Sequence, residues 1–437
     1  MSRAARRLLA VIGGAALLAG GAAMLPAAGS AWKPPARSGW VATWAASPLA
    51  GTALGSTTAH AGFSDQTVRN VIYTSVGGDE LRVRVSNTFG AEPLKVGAVS
   101  VGVVLVGARL VPGTVHAVTF HGKASVTIPA GAQALSDPLR VRVMPLEELA
   151  VSLYLPTATG PATYHMDAQQ TGYVAPGDHA SETADTDYKV NDSSWYFLDG
   201  LDVHDPAAPG TIVAFGDSIT DGAQALNANG RWPNYLARRL HAVFGQRAPA
   251  VVDEGISGNR VLSDSACFGQ SAEARFERDA LSQPGVKDVI LLEGVNDIGF
   301  SGETDTGCFA PNNATLTETQ IEAGYRNLIR MAHARGVKIF AGTLTPFQGS
   351  NAIYRGNFGT AHGESLREAV NAWIRTSHAF DGVIDFDKVI RSPYDPLYFN
   401  PAYNSFDDGT LNLYDNLHPN VVGFEAMADA INLALLR

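Results

Sequence analysis

At 437 residues the chain is longer than one ordinary hydrophobic core sustains, so two domains are expected. Apolar residues make up 46% and charged residues 17%, a globular balance that excludes a disordered chain. The formal net charge is −10 with no lysine or arginine block beyond the N-terminus, which argues against nucleic acid, whose phosphates demand clustered positive charge.

Residues 1–31 read as an export signal: Arg3, Arg6 and Arg7, an apolar run from Leu8 to Leu18, then small residues to Gly29-Ser30-Ala31. Arg6-Arg7 before Leu8-Leu9 leaves a twin-arginine route open beside the general one. An uncleaved anchor is the alternative, since the apolar and small stretch reaches about 20 residues. No later segment could span a bilayer, so the expectation is a secreted protein with no stable membrane insertion after signal removal.

Residues 39–198 read as β-structure. Leu81-Arg82-Val83-Arg84-Val85 alternates as a half-buried strand does. Val99–Val106, Ala124–Ile128, Leu139–Val143 and Ala150–Leu155 are further short runs, separated by Gly and Pro turns. Such spacing predicts an antiparallel sandwich or jelly-roll-like domain. A polar stretch, residues 199–210, is expected as a linker.

Over residues 211–437 the grammar changes. Thr211–Phe215, Val251–Asp253, Val289–Glu293, Lys338–Leu344 and Gly382–Asp387 are compact runs suited to strands buried on both faces. Helical periods lie between them: Leu236, Leu240, Val243 and Phe244 after Pro233; Ile321, Tyr325, Leu328 and Ala332 after a capping box of Thr317 and Gln320; then Leu366, Val370, Trp373 and Ile374, and finally Phe424, Met427, Ile431 and Leu435. Strand alternating with helix predicts a parallel sheet between helical layers, with the site at the carboxyl ends of its strands.

Those ends carry unusual residues. The first run enters Gly216-Asp217-Ser218-Ile219-Thr220-Asp221-Gly222, the second Glu254-Gly255-Ile256-Ser257-Gly258-Asn259, the third Glu293-Gly294-Val295-Asn296-Asp297, and Asp415-Asn416-Leu417-His418-Pro419 precedes the last helix. This set and its order resemble the GDSL (SGNH) hydrolase family over residues 211–437. The resemblance implies a flavodoxin-like three-layer α/β/α fold with strand order 2-1-3-4-5. The Trp44-Ala45-Ala46-Ser47-Pro48 and Gln66-Thr67-Val68-Arg69 segments resemble the β-rich region ahead of this domain in some secreted bacterial members.

What the resemblance implies for the site is chemically coherent. Ser218 would be the nucleophile and His418 its base, then the acid for the leaving alcohol, with Asp415 holding the imidazole tautomer. The backbone N–H groups of Ser218 and Gly258 and the Asn296 side chain would form the oxyanion hole. Asp217 and Asp297 are expected as turn-forming groups, Asp385 and Asp387 as non-catalytic, His165 and His362 as surface or loop residues, and Asn259 and Arg260 stay unassigned. The segments 302–313 and 347–363 are expected to wall the pocket. No G-x-S-x-G occurs, which sets aside the α/β-hydrolase elbow.

The two cysteines, Cys267 and Cys308, are expected to form a disulfide in an exported protein, the alternative being two buried thiols. With no C-x-x-C and no H-E-x-x-H, no metal or cofactor is expected. The expected activity is serine ester hydrolysis through an acyl-enzyme, on a short-chain or aryl ester or a lipid. Deacetylation of an acetylated polysaccharide is the alternative. A carbohydrate-binding or cell-surface protein with a relic hydrolase domain is the alternative of another class.

Overall fold

The alternating run forms a strand, Leu81–Ser86, burying Leu81, Val83 and Val85 and leaving Arg82 and Arg84 half-buried. It lies in a four-stranded antiparallel sheet ordered Trp40–Ala45, Leu198–His204, Leu81–Ser86, Gln133–Leu135. A larger, seven-stranded sheet has Gln66–Tyr73 and Glu148–Leu155 paired antiparallel at its centre. The computed structural model describes residues 39–303, 307–311, 315–407 and 413–436, and the expected export signal lies outside them.

The β-rich half is present, but its boundary is not where composition placed it. Of the expected linker only 205–210 run as a loop to Thr211; residues 199–204 are instead part of a strand, Leu198–His204, paired on both sides with Leu198 to Val203 buried. Its polar residues have internal partners, since Arg82 and Arg84 reach the Asp202 carboxylate at 3.2 and 3.1 Å. Leu139–Val143 is likewise not a strand; it makes only the isolated bridges Leu81 to Leu139 and Gly78 to Val143.

Five parallel strands follow in the order Ala250–Gly255, Thr211–Gly216, Val286–Leu292, Lys338–Gly342, Gly382–Ile384, which is 2-1-3-4-5 along the chain. All six residues of Thr211–Gly216 are buried, so this strand is covered on both faces. Helix Trp232–Phe244 carries Pro233 in its first turn and buries Leu236 and Leu240, while Val243 is exposed. It packs against Val421–Ala430, and Glu318–Ala334 packs against Ala361–Thr376. The capping box expected at Thr317 and Gln320 is present, the Gln320 Oε1 accepting from the Thr317 N–H at 2.9 Å.

The two halves share one buried hydrophobic cluster. Strand Trp40–Ala45 packs against Ala250–Gly255 at the edge of the parallel sheet. The Val251 N–H donates to Ser75 Oγ at 3.0 Å, and the Ala42 N–H to Thr211 Oγ1 at 3.2 Å. The β-rich half is therefore built into the edge of the α/β half.

Candidate active site

Thr211–Gly216 ends in a one-turn helix, Ser218–Asp221, capped by Asp217, whose Oδ1 accepts from the Ile219 N–H at 3.0 Å. Close packing permits it: a Cβ on Gly255, at the end of the neighbouring strand, would lie 2.2 Å from the Asp221 nitrogen. Ser218 thus stands at the carboxyl edge of the sheet. From the other side comes Leu413–Pro419, a strand paired with Asn404–Asp407 and turned at Asn416, whose φ of 56° suits asparagine.

These elements bring three side chains together. His418 Nε2 lies 2.8 Å from Ser218 Oγ, and His418 Nδ1 lies 2.9 Å from Asp415 Oδ2. A carboxylate only accepts, so Nδ1 carries the proton and the Nε2 lone pair faces the serine hydroxyl. Asp415 Oδ1 accepts from the N–H groups of Leu417 and His418 at 2.9 and 3.1 Å. Burial works to raise the Asp415 carboxyl, but His418 and the surrounding donors prevail and hold it below its usual range. Burial likewise works to lower His418, and Asp415 outweighs it, so the imidazole pKa is raised.

Gly258 follows the second strand at φ 78°, with its Cα face against Phe268. Asn296, on helix Val295–Phe300, donates from Nδ2 to the Asn259 carbonyl at 3.0 Å, which fastens it to the Gly258 turn and leaves its second N–H free of that bond. Asp297 accepts from the N–H groups of Val261 and Leu262 at 2.7 and 3.0 Å. Asp217 and Asp297 therefore do hold turns. Asp385 and Asp387 pair with Arg375, and Asp387 with Arg367, remote from the histidine. Asn259 and Arg260 prove to be loop fasteners: Asn259 Nδ2 donates to the carbonyls of Phe268 and Gln270, and Arg260 to those of Asp264 and Pro311.

Three features were not foreseen. Tyr354, within the 347–363 segment, donates its hydroxyl to Asp415 Oδ2 at 3.1 Å. Its ring begins an aromatic series that runs from His418 through Tyr354, Phe358 and Phe300 to Phe268 and Phe309. Cys267 and Cys308 are disulfide-bonded, and each immediately precedes one of the last two rings. Arg275, fully buried, is the second feature: it donates to Gly216 O, Glu254 O, Ser47 Oγ and Asn259 Oδ1 at 2.7 to 2.9 Å and lies 3.4 Å from Glu293. One guanidinium thus gathers three of the strand-end blocks and the Ser47 segment. Third, His165 is not on the surface: it is 3% exposed and lies against Asp221. His362 is exposed, as expected. Short, buried polar residues in a β-rich stretch carry no sequence signal that would have marked His165.

Residues 214–426 match the model of the GDSL-like lipase/acylhydrolase family. No curated protein matches the chain. Among solved structures, an acetyl xylan esterase from Geobacillus stearothermophilus is similar at 20% identity over 52% of this chain and 95% of its own, TM-score 0.38. A GDSL-like lipase from Bacteroides thetaiotaomicron is similar at 18% identity over 52% of this chain and 88% of its own, TM-score 0.35. An aryl esterase from M. smegmatis shares 16% identity over 51% of this chain and 95% of its own, TM-score 0.36.

Proposed function

With residues 214–426 belonging to the GDSL-like lipase/acylhydrolase family, and the protein thereby a carboxylic ester hydrolase, we propose that Ser218 attacks short-chain or aryl esters through an acyl-enzyme. The observation that carries the reading is the continuous hydrogen-bonded series Ser218, His418, Asp415 at 2.8 and 2.9 Å. His418 Nε2 takes the Oγ proton as Oγ bonds to the ester carbonyl carbon. The tetrahedral oxyanion is met by the Ser218 and Gly258 N–H groups and Asn296 Nδ2, and one such donor is typically worth about 3–4 kcal/mol in the transition state. His418 then protonates the departing alcohol, and water, deprotonated by the same nitrogen, releases the acid. Asp415 keeps Nδ1 protonated throughout and stabilises the imidazolium. No step calls for a metal or cofactor. Half-buried Phe268 and Tyr354 offer an apolar wall to a small acyl or aryl group.

A second reading, deacetylation of a polysaccharide, draws on a shallow groove of about 630 Å³ that reaches Phe268, the ring against Gly258, but is lined by none of Ser218, Asp415 and His418. Phe268, Met166, Ser56, Asn191 and Asp192 line it, hydroxyl, amide and carboxylate groups beside one aromatic ring, which suits a sugar chain. Residues 1–31 and the Cys267–Cys308 disulfide support an extracellular site of action. The mature protein is to be assayed on p-nitrophenyl acetate through palmitate and on acetylated xylan, beside Ser218→Ala. Activity retained by Ser218→Ala refutes the mechanism, and the preferred substrate separates the two readings. N-terminal sequencing of protein recovered from the medium tests export.

A further inference from the structure

A second buried histidine stands behind the nucleophile. His165 ends strand Thr163–His165 of the β-rich half and lies against the Trp195 ring at 5.2 Å between centroids. Its Nδ1 is 2.9 Å from the Ser47 carbonyl oxygen, and its Nε2 is 3.0 Å from Asp221 Oδ1. A carbonyl accepts only, and so does a carboxylate, so both ring nitrogens carry hydrogen and the ring is a cation. That distinguishes it from His418, whose Nε2 faces a hydroxyl.

Asp221 has a second oxygen. Oδ2 accepts from the Ser257 N–H at 2.9 Å and from Ser257 Oγ at 2.8 Å. Ser257 Oγ is also 3.2 Å from Asp167 Oδ2, two residues after His165. The peptide that follows Ser257 carries the Gly258 N–H. Asp221 itself closes the helical turn that Ser218 opens, the Asp221 N–H donating to Asp217 O at 2.9 Å. One carboxylate therefore ties together the two backbone segments whose N–H groups meet the oxyanion, and the β-rich half supplies the cation that fixes this carboxylate.

We propose that His165 is a positioning residue for ester hydrolysis, bracing Asp221 and through it the Ser257–Gly258 peptide, so that the β-rich half completes the oxyanion site. The proposal rests on the ester-hydrolase reading and adds to it the reason the two halves are joined. An Asp221 carboxylate without its cation is a buried charge that must rotate toward solvent or recruit water, and either motion releases Ser257. An oxyanion donor displaced by about 1 Å costs on the order of a hundredfold in rate. The charged groups facing the ring are Asp221 from the one-turn helix, Asp167 beyond its own strand, Arg231 ahead of helix Trp232–Phe244, and Asp253 from strand Ala250–Gly255. Burial opposes the charged ring, but Asp221 outweighs it, so the proton is lost only on the alkaline side of the ordinary 6.5.

The test compares His165→Ala and His165→Gln with wild type, using p-nitrophenyl acetate kinetics, thermal melting, and hydrogen exchange of the 255–259 segment. Gln retains an N–H for Asp221 in a side chain of similar reach. Expected for His165→Ala is a ten- to hundredfold fall in kcat with KM within about twofold, and faster exchange at 255–259. His165→Gln is expected to recover most of kcat and to lack the alkaline decline expected of wild type as the ring deprotonates. Unchanged exchange at 255–259 in His165→Ala, or a kcat loss that merely follows the unfolded fraction, overturns the brace. Exchange reads the brace without any turnover, whereas Ser218→Ala reads the hydrolase mechanism, so the two ideas fail separately.

Discussion

Replacing Gly258 by alanine tests how tightly the oxyanion turn is confined. Its φ of 78° lies in the left-handed region, which costs an L-residue about 1–2 kcal/mol. The added Cβ would also lie 2.4, 2.5 and 2.8 Å from three atoms of the Phe268 ring. That ring has little room to yield. Phe300 stacks on it at 5.7 Å, Phe309 sits at 5.9 Å, and the preceding Cys267 is held by the disulfide. The backbone must therefore give way, which moves the Gly258 N–H from its line to the oxyanion. Losing one such donor costs about 10²–10³ in kcat. Steady-state hydrolysis of p-nitrophenyl acetate should show kcat lowered about a hundredfold, or ~2.7 kcal/mol, with KM little changed because the contact forms in the transition state. Thermal melting should show a loss of about 1–2 kcal/mol from the strained φ. Adding Phe268→Ala should relieve the collision and restore part of kcat without relieving φ. A Gly258→Ala enzyme within threefold of wild type would refute the role given to this turn.

Tyr354→Phe removes a hydroxyl from Asp415 Oδ2 and should lower kcat/KM about two- to tenfold, by steady-state assay, with the fold intact. The acid limb of kcat/KM should have its midpoint above 6.5, because Asp415 raises His418 despite burial and only the unprotonated imidazole accepts the serine proton; a pH–rate profile checks this, and Asp415→Asn should move the midpoint down. Reduction of the Cys267–Cys308 bond should cost roughly 4 kcal/mol on the chain-entropy view of the loop it closes, read by denaturant unfolding with and without reductant.

The parallel sheet was legible because its signals are local. Apolar runs such as Val289–Glu293 and amphipathic periods such as Ile321–Ala332 depend on nearby residues alone, and their alternation predicts a parallel sheet, whereas the order 2-1-3-4-5 is implied by the family resemblance and not by the alternation. The four strand-end blocks were legible as a set, since each sits where a strand stops. What could not be read depends on pairing across distance. Leu198–His204 looks like a loop because Asp199, Asp202 and His204 are polar, and only the partners Arg82 and Arg84, more than a hundred residues earlier, make it a central strand. His165 and Arg275 resemble any surface polar residue until the fold buries them against Asp221 and Gly216. Tyr354 lies in a segment expected to wall the pocket, but nothing in the sequence aims its hydroxyl at Asp415.

The buried acids make a last prediction, in which stability and activity run in opposite directions with pH. Burial raises the Asp217 carboxyl from 3.8 to about 7, and Asp217 Oδ2 has no partner among the described residues, an arrangement that suits the protonated acid. Burial raises Asp199 and Asp297 to about 6, and Glu254 and Glu293 well above 4.5. Near neutral pH Glu254, Glu293 and part of Asp217, and from about pH 6 downward Asp199 and Asp297 as well, therefore keep protons that the unfolded chain, with carboxyls near 3.8 and 4.5, has released. The contribution of these groups is fully present below the unfolded value and is lost as pH rises through the folded ones, at up to about 1.4 kcal/mol per pH unit for each proton. The raised His165 acts in the same direction. Asp415, held low, loses its contribution only below about 3.8, outside this interval. Melting temperature should therefore rise as pH falls from about 8 to about 5, while kcat/KM falls as His418 protonates. A melting temperature that stays flat or drops toward the acid side would mean that these carboxylates are ionised and solvated in the native state. Arg275 would then be neutralising Glu254 and Glu293 beneath the nucleophile, instead of organising backbone carbonyls among neutral acids.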